Sequence, residues 1–110
     1  MAIEPGTYKA DFATALGIGS GIVVLAAGKA RGGDSAMLYV GSYKEDGDAV
    51  SADLRVSRHT VTPTVTSVFG LDNVTAKFTG VSSGGTISLQ GESPQAPGMP
   101  MRVTLYRVAD

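Results

Sequence analysis

A chain of 110 residues is long enough for one domain with a single hydrophobic core, so residues 1–110 are expected to fold as one domain. Its formal net charge of −1 and its nine scattered Lys and Arg residues argue against a direct nucleic-acid partner, because phosphate binding needs a clustered basic surface. The absence of cysteine excludes disulfides, thiolate metal sites and cysteine nucleophiles.

The amino-terminal segment does not have the pattern of a signal peptide, because Glu4 and Lys9 interrupt it and it has no continuous apolar run. The longest apolar stretch, Gly21–Gly28, is far shorter than a membrane-spanning helix. We therefore expect a cytoplasmic protein with no membrane partner.

The first strong structural signal is an alternation of apolar and polar residues over 6–13, which predicts a half-buried strand with Tyr8 and Phe12 on its inner face. Gly17, Gly19 and Gly21 then recur at every second position, and Val23 and Leu25 continue that face. Such spacing is typical of a bent strand on which a neighbouring backbone or aromatic ring can approach closely. It does not predict a phosphate loop, because β-forming residues rather than a helix follow the glycines.

The next segment contains two glycine turns, a strand and a hairpin. Turns are predicted at 27–29 and at 31–34, where Gly32 and Gly33 can adopt positive φ. The strand Ala36–Tyr43 is apolar on both faces, which favours a central strand or one that also forms a dimer face. A charged hairpin loop, Lys44–Asp48, follows, and Asp46-Gly47 is its turn signal.

Four later segments alternate in the same way and are predicted to be strands: Val50–Val56, Val74–Phe78, Thr86–Gln90 and Met101–Leu105. The region His59–Gly70 breaks the alternation at Pro63, so it is expected to be an edge, a loop or a short helical turn. Glu92–Pro100 contains three prolines and one glycine and is expected to be an exposed loop.

The number and spacing of these segments predict an all-β protein of seven or eight antiparallel strands with at most a short helix. Short connections favour a meander, and a meander of this size is most simply closed into an up-and-down barrel, which removes unpaired edges. A β-sandwich is the alternative architecture.

Few residues could support catalysis or bind a metal. His59, the only histidine, is expected to be an exposed turn residue, and Asp34 beside Ser35 is expected to accept backbone N–H bonds in a turn. We therefore expect no enzyme, no catalytic residue, no cofactor and no metal. Two pairs, Met37 with Tyr39 and Met99 with Met101, are expected to pack in the core, with a ligand cavity as the alternative.

The acidic residues Glu45, Asp46 and Asp48 lack the spacing of a calcium-binding loop. As an exposed hairpin tip they are either a solvated turn or an electronegative docking point for a basic partner, since charged loops steer association.

The sequence Gly32-Gly33-Asp34-Ser35, followed by Tyr39-Val40-Gly41-Ser42-Tyr43, resembles the GrlR family of negative regulators of type III secretion genes. Ser67–Gly70 and Phe78–Gly80 are similar to later segments of that family, and the length is similar. The resemblance covers most of the chain, and GGDS…YxGxY is its specific part.

The resemblance implies a lipocalin-like β-barrel of about eight strands that is homodimeric and not an enzyme. It also implies that the protein binds a helix-turn-helix transcriptional activator and keeps it from DNA. The family's acidic recognition loop reads Glu-Asp-Glu-Asp. Here Glu45, Asp46 and Asp48 match three of its positions and Gly47 takes the other, so these three residues are the expected partner-binding site. A lipocalin-like carrier of a small apolar ligand is the alternative function.

Overall fold

The computed structural model describes residues 3–61 and 73–110, and the description below applies to them. They form eight strands: β1 (Gly6–Thr14), β2 (Gly17–Ala26), β3 (Lys29–Gly33), β4 (Met37–Asp46), β5 (Ala49–Arg58), β6 (Asn73–Ser83), β7 (Thr86–Ser93) and β8 (Ala96–Ala109). No helix long and apolar enough to cross a membrane occurs in the described ranges.

The strands form a closed barrel in which each strand is antiparallel to its neighbours in sequence and β8 pairs with β1. The β1–β8 closure runs from Thr7 with Ala109 to Ala13 with Arg102, so almost the whole length of β1 is paired on both sides. The predicted up-and-down barrel is therefore confirmed with eight strands, and the β-sandwich is excluded.

The barrel is organised by the alternation seen in the sequence. Val23 and Leu25 on β2 are buried, whereas Ile22 and Val24, which alternate with them, are about half exposed. The same alternation places one apolar row of every strand inside the barrel. The inward row includes Tyr8, Ala10, Leu54, Phe78, Ile87, Leu89 and Leu105. Burying these side chains stabilises the fold, because apolar burial is the main favourable contribution to folding.

Two predicted irregular segments are strands in the structure. Lys29–Gly33 pairs with β2 and β4 along its full length, and Gly32 and Gly33 do not adopt positive φ. A Cβ at Gly32 would lie 1.9 Å from the carbonyl oxygen of Ile22, so the glycine is needed for close strand approach rather than for a turn.

The prediction that Glu92–Pro100 is an exposed loop was also wrong, because this segment contains the end of β7 and the start of β8. Ser93 and Ala96 are buried and pair with each other across a tight turn. The register then passes to Gly91 with Met101, so residues 97–100 of β8 form a bulge. A bulge tolerates prolines because it does not require their missing N–H groups.

The outer wall carries an apolar surface on β2 and β4, separated by the short β3. The register aligns Ile22 with Gly33 and Leu38 in one row, and Val24 with Arg31 and Val40 in the next. Ile22, Val24 and Leu38 are each 43–45 % exposed. We call Ile22, Val24, Leu38 and Val40 the outer apolar patch. It includes outward residues of β4, which is the strand that was predicted to be apolar on both faces.

Most of the predicted irregular region, including Pro63 and the family-like Ser67–Gly70, falls within residues 62–72 and lies outside the described residues. Phe78–Gly80, the other family-like segment, lies in β6 with Phe78 facing the core.

Candidate functional site

The acidic hairpin joins β4 to β5 at the barrel end that also carries both chain termini. Asp46 pairs with Ala49, which leaves Gly47 and Asp48 as a two-residue turn. Gly47 has a φ of 62°, as the first central position of a hairpin turn with primed geometry requires. The hairpin was predicted correctly, although its turn lies one residue later than Asp46-Gly47.

All three predicted partner-binding residues are exposed and lie within this hairpin tip, but they have different surroundings. The Glu45 carboxylate accepts a hydrogen bond from the backbone N–H of Ile3. Asp46 is on the opposite, outward face of β4. Asp48 lies in the turn, where its carbonyl oxygen accepts a hydrogen bond from the Ser82 N–H at 2.9 Å. Asp46 and Asp48 therefore form the outward acidic surface, whereas Glu45 holds the amino-terminal segment.

The amino-terminal segment lies against this end of the barrel. Ile3 is buried in the core, and the Tyr8 hydroxyl donates a hydrogen bond to the carbonyl oxygen of Glu4 at 2.7 Å. Arg107 donates from its Nη2 to the Pro5 carbonyl oxygen at 3.1 Å and to Asp110 Oδ1 at 3.0 Å. The bond from Arg107 to Pro5 joins the two ends of the chain, and alternation patterns do not reveal it because the two residues are 102 positions apart in sequence.

At the opposite end of the barrel, Asp34 organises the β3–β4 connection. Its Oδ1 accepts the N–H groups of Ala36 at 2.9 Å and Met37 at 2.7 Å, as predicted for a turn-forming Asp. Its Oδ2 accepts a hydrogen bond from the Tyr39 hydroxyl. The GGDS segment thus has a structural role, because one side chain fixes both the turn and the first inward residues of β4.

Tyr39 is enclosed by residues of β1 and β2. Phe12 packs against its ring edge-to-face with 6.0 Å between ring centroids, and a Cβ at Gly21 would lie 2.8 Å from its hydroxyl. This confirms that the glycines of β2 admit an aromatic ring. Burial, together with the hydrogen bond to Asp34 and the negative charge of that carboxylate, raises the pKa of Tyr39 above its ordinary value. The hydroxyl is therefore a hydrogen-bond donor across the physiological range.

His59 also lies at this end and is exposed, as predicted. Its Nε2 is 2.9 Å from the backbone carbonyl oxygen of Asp34, and its Nδ1 is 2.6 Å from Thr60 Oγ1. The imidazole therefore contacts the Asp34 backbone rather than its carboxylate, which is not the arrangement of a catalytic triad. Within residues 3–61 and 73–110, no three His, Asp or Glu side chains are grouped closely enough to hold a metal ion.

The barrel contains a partly open cavity of about 510 Å³. Met37, Tyr39 and Met101 line it and are also buried core residues, so the two interpretations of the Met/Tyr pairs are compatible. Met99 is partly buried against the core. Sequence reasoning missed the origin of the space, which lies in small inward residues such as Ala10, Ala30 and Ala52.

No protein-family model matches the chain, and no curated protein matches its sequence at a significant level.

Proposed function

We propose that this chain is a non-enzymatic, cytoplasmic regulatory protein that binds a basic helix-turn-helix transcriptional activator and keeps it from DNA. The proposal is supported by the GGDS…YxGxY resemblance to negative regulators of type III secretion genes and by the eight-stranded barrel that this resemblance implies. The observation that carries it is the exposed acidic tip of the β4–β5 hairpin.

The tip is suited to electrostatic recognition because its backbone is held in place before a partner arrives. The β4–β5 ladder is continuous from Met37–Arg58 to Asp46–Ala49, and the Ser82 N–H anchors the turn at Asp48. A fixed acidic surface attracts a basic partner and accelerates encounter without a large ordering cost. Replacement of the family's third acid by Gly47 removes one charge, so we expect weaker binding than a four-acid loop would give.

The binding test compares two double variants that each remove two negative charges. Asp46→Asn/Asp48→Asn changes the outward tip, whereas the matched control Asp53→Asn/Glu92→Gln changes exposed acids on the barrel wall. Affinity for a basic helix-turn-helix activator, preferably one encoded beside this protein, is measured by titration calorimetry at two salt concentrations. We expect the tip variant to bind about 10-fold more weakly and to lose much of the salt dependence, because exposed charge pairs contribute up to about 1 kcal/mol each.

The same activator is then placed on its DNA in a mobility-shift assay. The unmodified protein and the wall control should release the activator from DNA, and the tip variant should do so only at higher concentration. Equal binding by the tip variant and the wall control would discard the acidic hairpin as the recognition site. Failure of the unmodified protein to bind any basic activator would discard the regulatory function.

We propose that the homodimer implied by the resemblance forms through the outer apolar patch. Ile22 and Val24 on β2 face the same side as Leu38 and Val40 on β4, and together they cover neighbouring rows of the wall. Contiguous exposed apolar surface favours association with another protein surface. This location leaves the acidic tip accessible, because the tip lies beyond Ser42, where the β3–β4 ladder ends.

A further inference from the structure

The interior of the barrel has the volume of a ligand-binding site. Small-molecule sites in proteins commonly enclose about 300–1,000 Å³, and an eight-stranded barrel is just wide enough to hold one small ligand instead of side chains alone. Here the cavity of about 510 Å³ runs from Ile3 at the end with the termini to Asp34 and Ser35 at the other end. It is therefore elongated along the barrel.

The cavity exists because small residues occupy inward positions where larger ones would fill the space. Ala10, Ala30 and Ala52 come from three different strands. Aliphatic side chains such as Leu25 and Leu54, together with aromatic ones such as Phe78, form most of the remaining wall. An apolar space of this kind favours a hydrocarbon over water, because water there would lack hydrogen-bond partners.

Two of the polar groups at this end of the cavity, the Asp34 carboxylate and the Tyr39 hydroxyl, are already hydrogen-bonded within the protein. The Tyr39 hydroxyl donates a hydrogen bond to Asp34 Oδ2, and Asp34 Oδ1 accepts hydrogen bonds from two backbone N–H groups. A ligand carboxylate at this end would lie near the Asp34 carboxylate and would be repelled by it. These features select against a charged acid and leave shape and apolar contact as the basis of binding.

The volume also limits ligand size. An apolar cavity of about 150 Å³ accommodates benzene, which corresponds to roughly 25 Å³ for each carbon. By that measure, the cavity of about 510 Å³ has room for on the order of 20 carbon-sized atoms.

We propose that the barrel interior is a binding site for one uncharged, linear hydrocarbon chain of about 12–18 carbons, such as a fatty alcohol or the chain of a neutral lipid. The elongated cavity selects a chain rather than a compact ring system. This function does not require a regulatory partner.

Binding is measured by displacement of the fluorescent probe N-phenyl-1-naphthylamine from the whole protein. We expect 1-dodecanol to displace the probe at a concentration at least about 10-fold lower than dodecanoate at neutral pH, because only the acid brings a charge to the cavity. Across shorter alcohols, affinity should rise about fourfold per methylene. Equal displacement by the alcohol and the acid, or no displacement by either, would overturn the proposal.

Two adjacent positions on β5 provide a matched pair of variants. Ala52 faces the cavity and Ser51 faces solvent, so Ala52→Trp should weaken 1-dodecanol binding at least about 10-fold, whereas Ser51→Trp should bind as the unmodified protein does. Circular dichroism establishes that each variant is folded. Equal binding of 1-dodecanol by the two variants would place the hydrocarbon chain outside the barrel and contradict the proposal.

A second variant covers the case in which Ala52→Trp fails to fold. Ala10→Leu adds less volume to the same cavity from β1 and should move the best-binding alcohol to a shorter chain. Such a change in the preferred chain length is expected only if the hydrocarbon chain occupies the barrel interior. An unchanged chain-length preference would contradict an interior site.

Discussion

Replacing Asp34 by alanine tests whether the β3–β4 connection depends on one carboxylate. Asp34 accepts three hydrogen bonds, two from the N–H groups of Ala36 and Met37 and one from the Tyr39 hydroxyl. Ala36, Met37 and Tyr39 are all buried. Water therefore has little access to the groups that lose their acceptor, and the variant leaves buried donors unsatisfied.

The expected cost follows from the number and kind of bonds lost. A hydrogen bond to a charged group contributes about 1.5–3 kcal/mol, and an unsatisfied buried donor costs a similar amount. Allowing for partial relaxation of the turn, we expect Asp34→Ala to lower the free energy of unfolding by about 3–5 kcal/mol. This is a large share of the total stability of about 5–15 kcal/mol that is typical of a domain. Tyr39→Phe removes only one of the three bonds and should cost about 1–2 kcal/mol.

Urea unfolding followed by circular dichroism measures both effects, and Asp11→Ala is the control. Asp11 forms an exposed ion pair with Lys9 at 3.2 Å, so its loss should cost less than about 1 kcal/mol. The double variant Asp34→Ala/Tyr39→Phe should be less destabilised than the sum of the single variants, because both remove the same bond. If Asp34→Ala costs no more than Asp11→Ala, the carboxylate does not hold the turn and this reasoning is refuted.

Three further predictions concern pH, the hairpin turn and association. Burial is the main cause that raises the pKa of both Tyr8 and Tyr39 above the ordinary 10.0. Both hydroxyls therefore ionise at a lower pH in the unfolded chain than in the folded protein. Stability should therefore fall as pH rises above about 10, by up to about 1.4 kcal/mol per pH unit for each group, and urea midpoints on either side of that pH measure the loss. Gly47→Ala should lower the free energy of unfolding by about 1 kcal/mol in the same assay, because a φ of 62° is strained for a residue with a Cβ while nothing lies within 4 Å to clash. In sedimentation velocity, Leu38→Lys should convert the proposed dimer to monomer. The control Tyr106→Lys should leave the protein dimeric, because β8 is far from β4 around the barrel. A monomeric unmodified protein would contradict the proposed dimer.

The barrel could be predicted from the sequence because the alternation of inward and outward residues is local. Each strand of the up-and-down order pairs with its sequence neighbours, so short-range patterns and turn signals contain most of the topology. The prediction failed where composition suggested turns but tertiary pairing decided the outcome. Gly32 and Gly33 are extended because β2 and β4 approach closely on both sides, and Pro97 and Pro100 are accommodated in a bulge of β8.

The surroundings of the candidate sites were less predictable because they depend on contacts between distant residues. The turn role of Asp34 follows from local chemistry, but its bond to Tyr39 requires the rotation of β4 that the barrel sets. Similarly, the bond from Arg107 to the Pro5 carbonyl oxygen forms only when closure of the barrel brings β8 beside β1. The cavity was harder still to predict, because its volume depends on how inward alanines from several strands face one another.

Glu45 links the acidic tip to the barrel interior, and this determines how experiments on the tip should be interpreted. Its carboxylate accepts the Ile3 N–H, and the Ile3 side chain lines the cavity. Removing Glu45 therefore takes away both a negative charge and a restraint on the amino-terminal segment. A loss of partner binding in a Glu45 variant has two physical explanations, whereas Asp46 lies outward and its removal changes the charge of the tip without that contact. The charge of the tip is consequently best tested through Asp46 and Asp48, and Glu45 through variants such as Glu45→Gln that keep an acceptor for the Ile3 N–H.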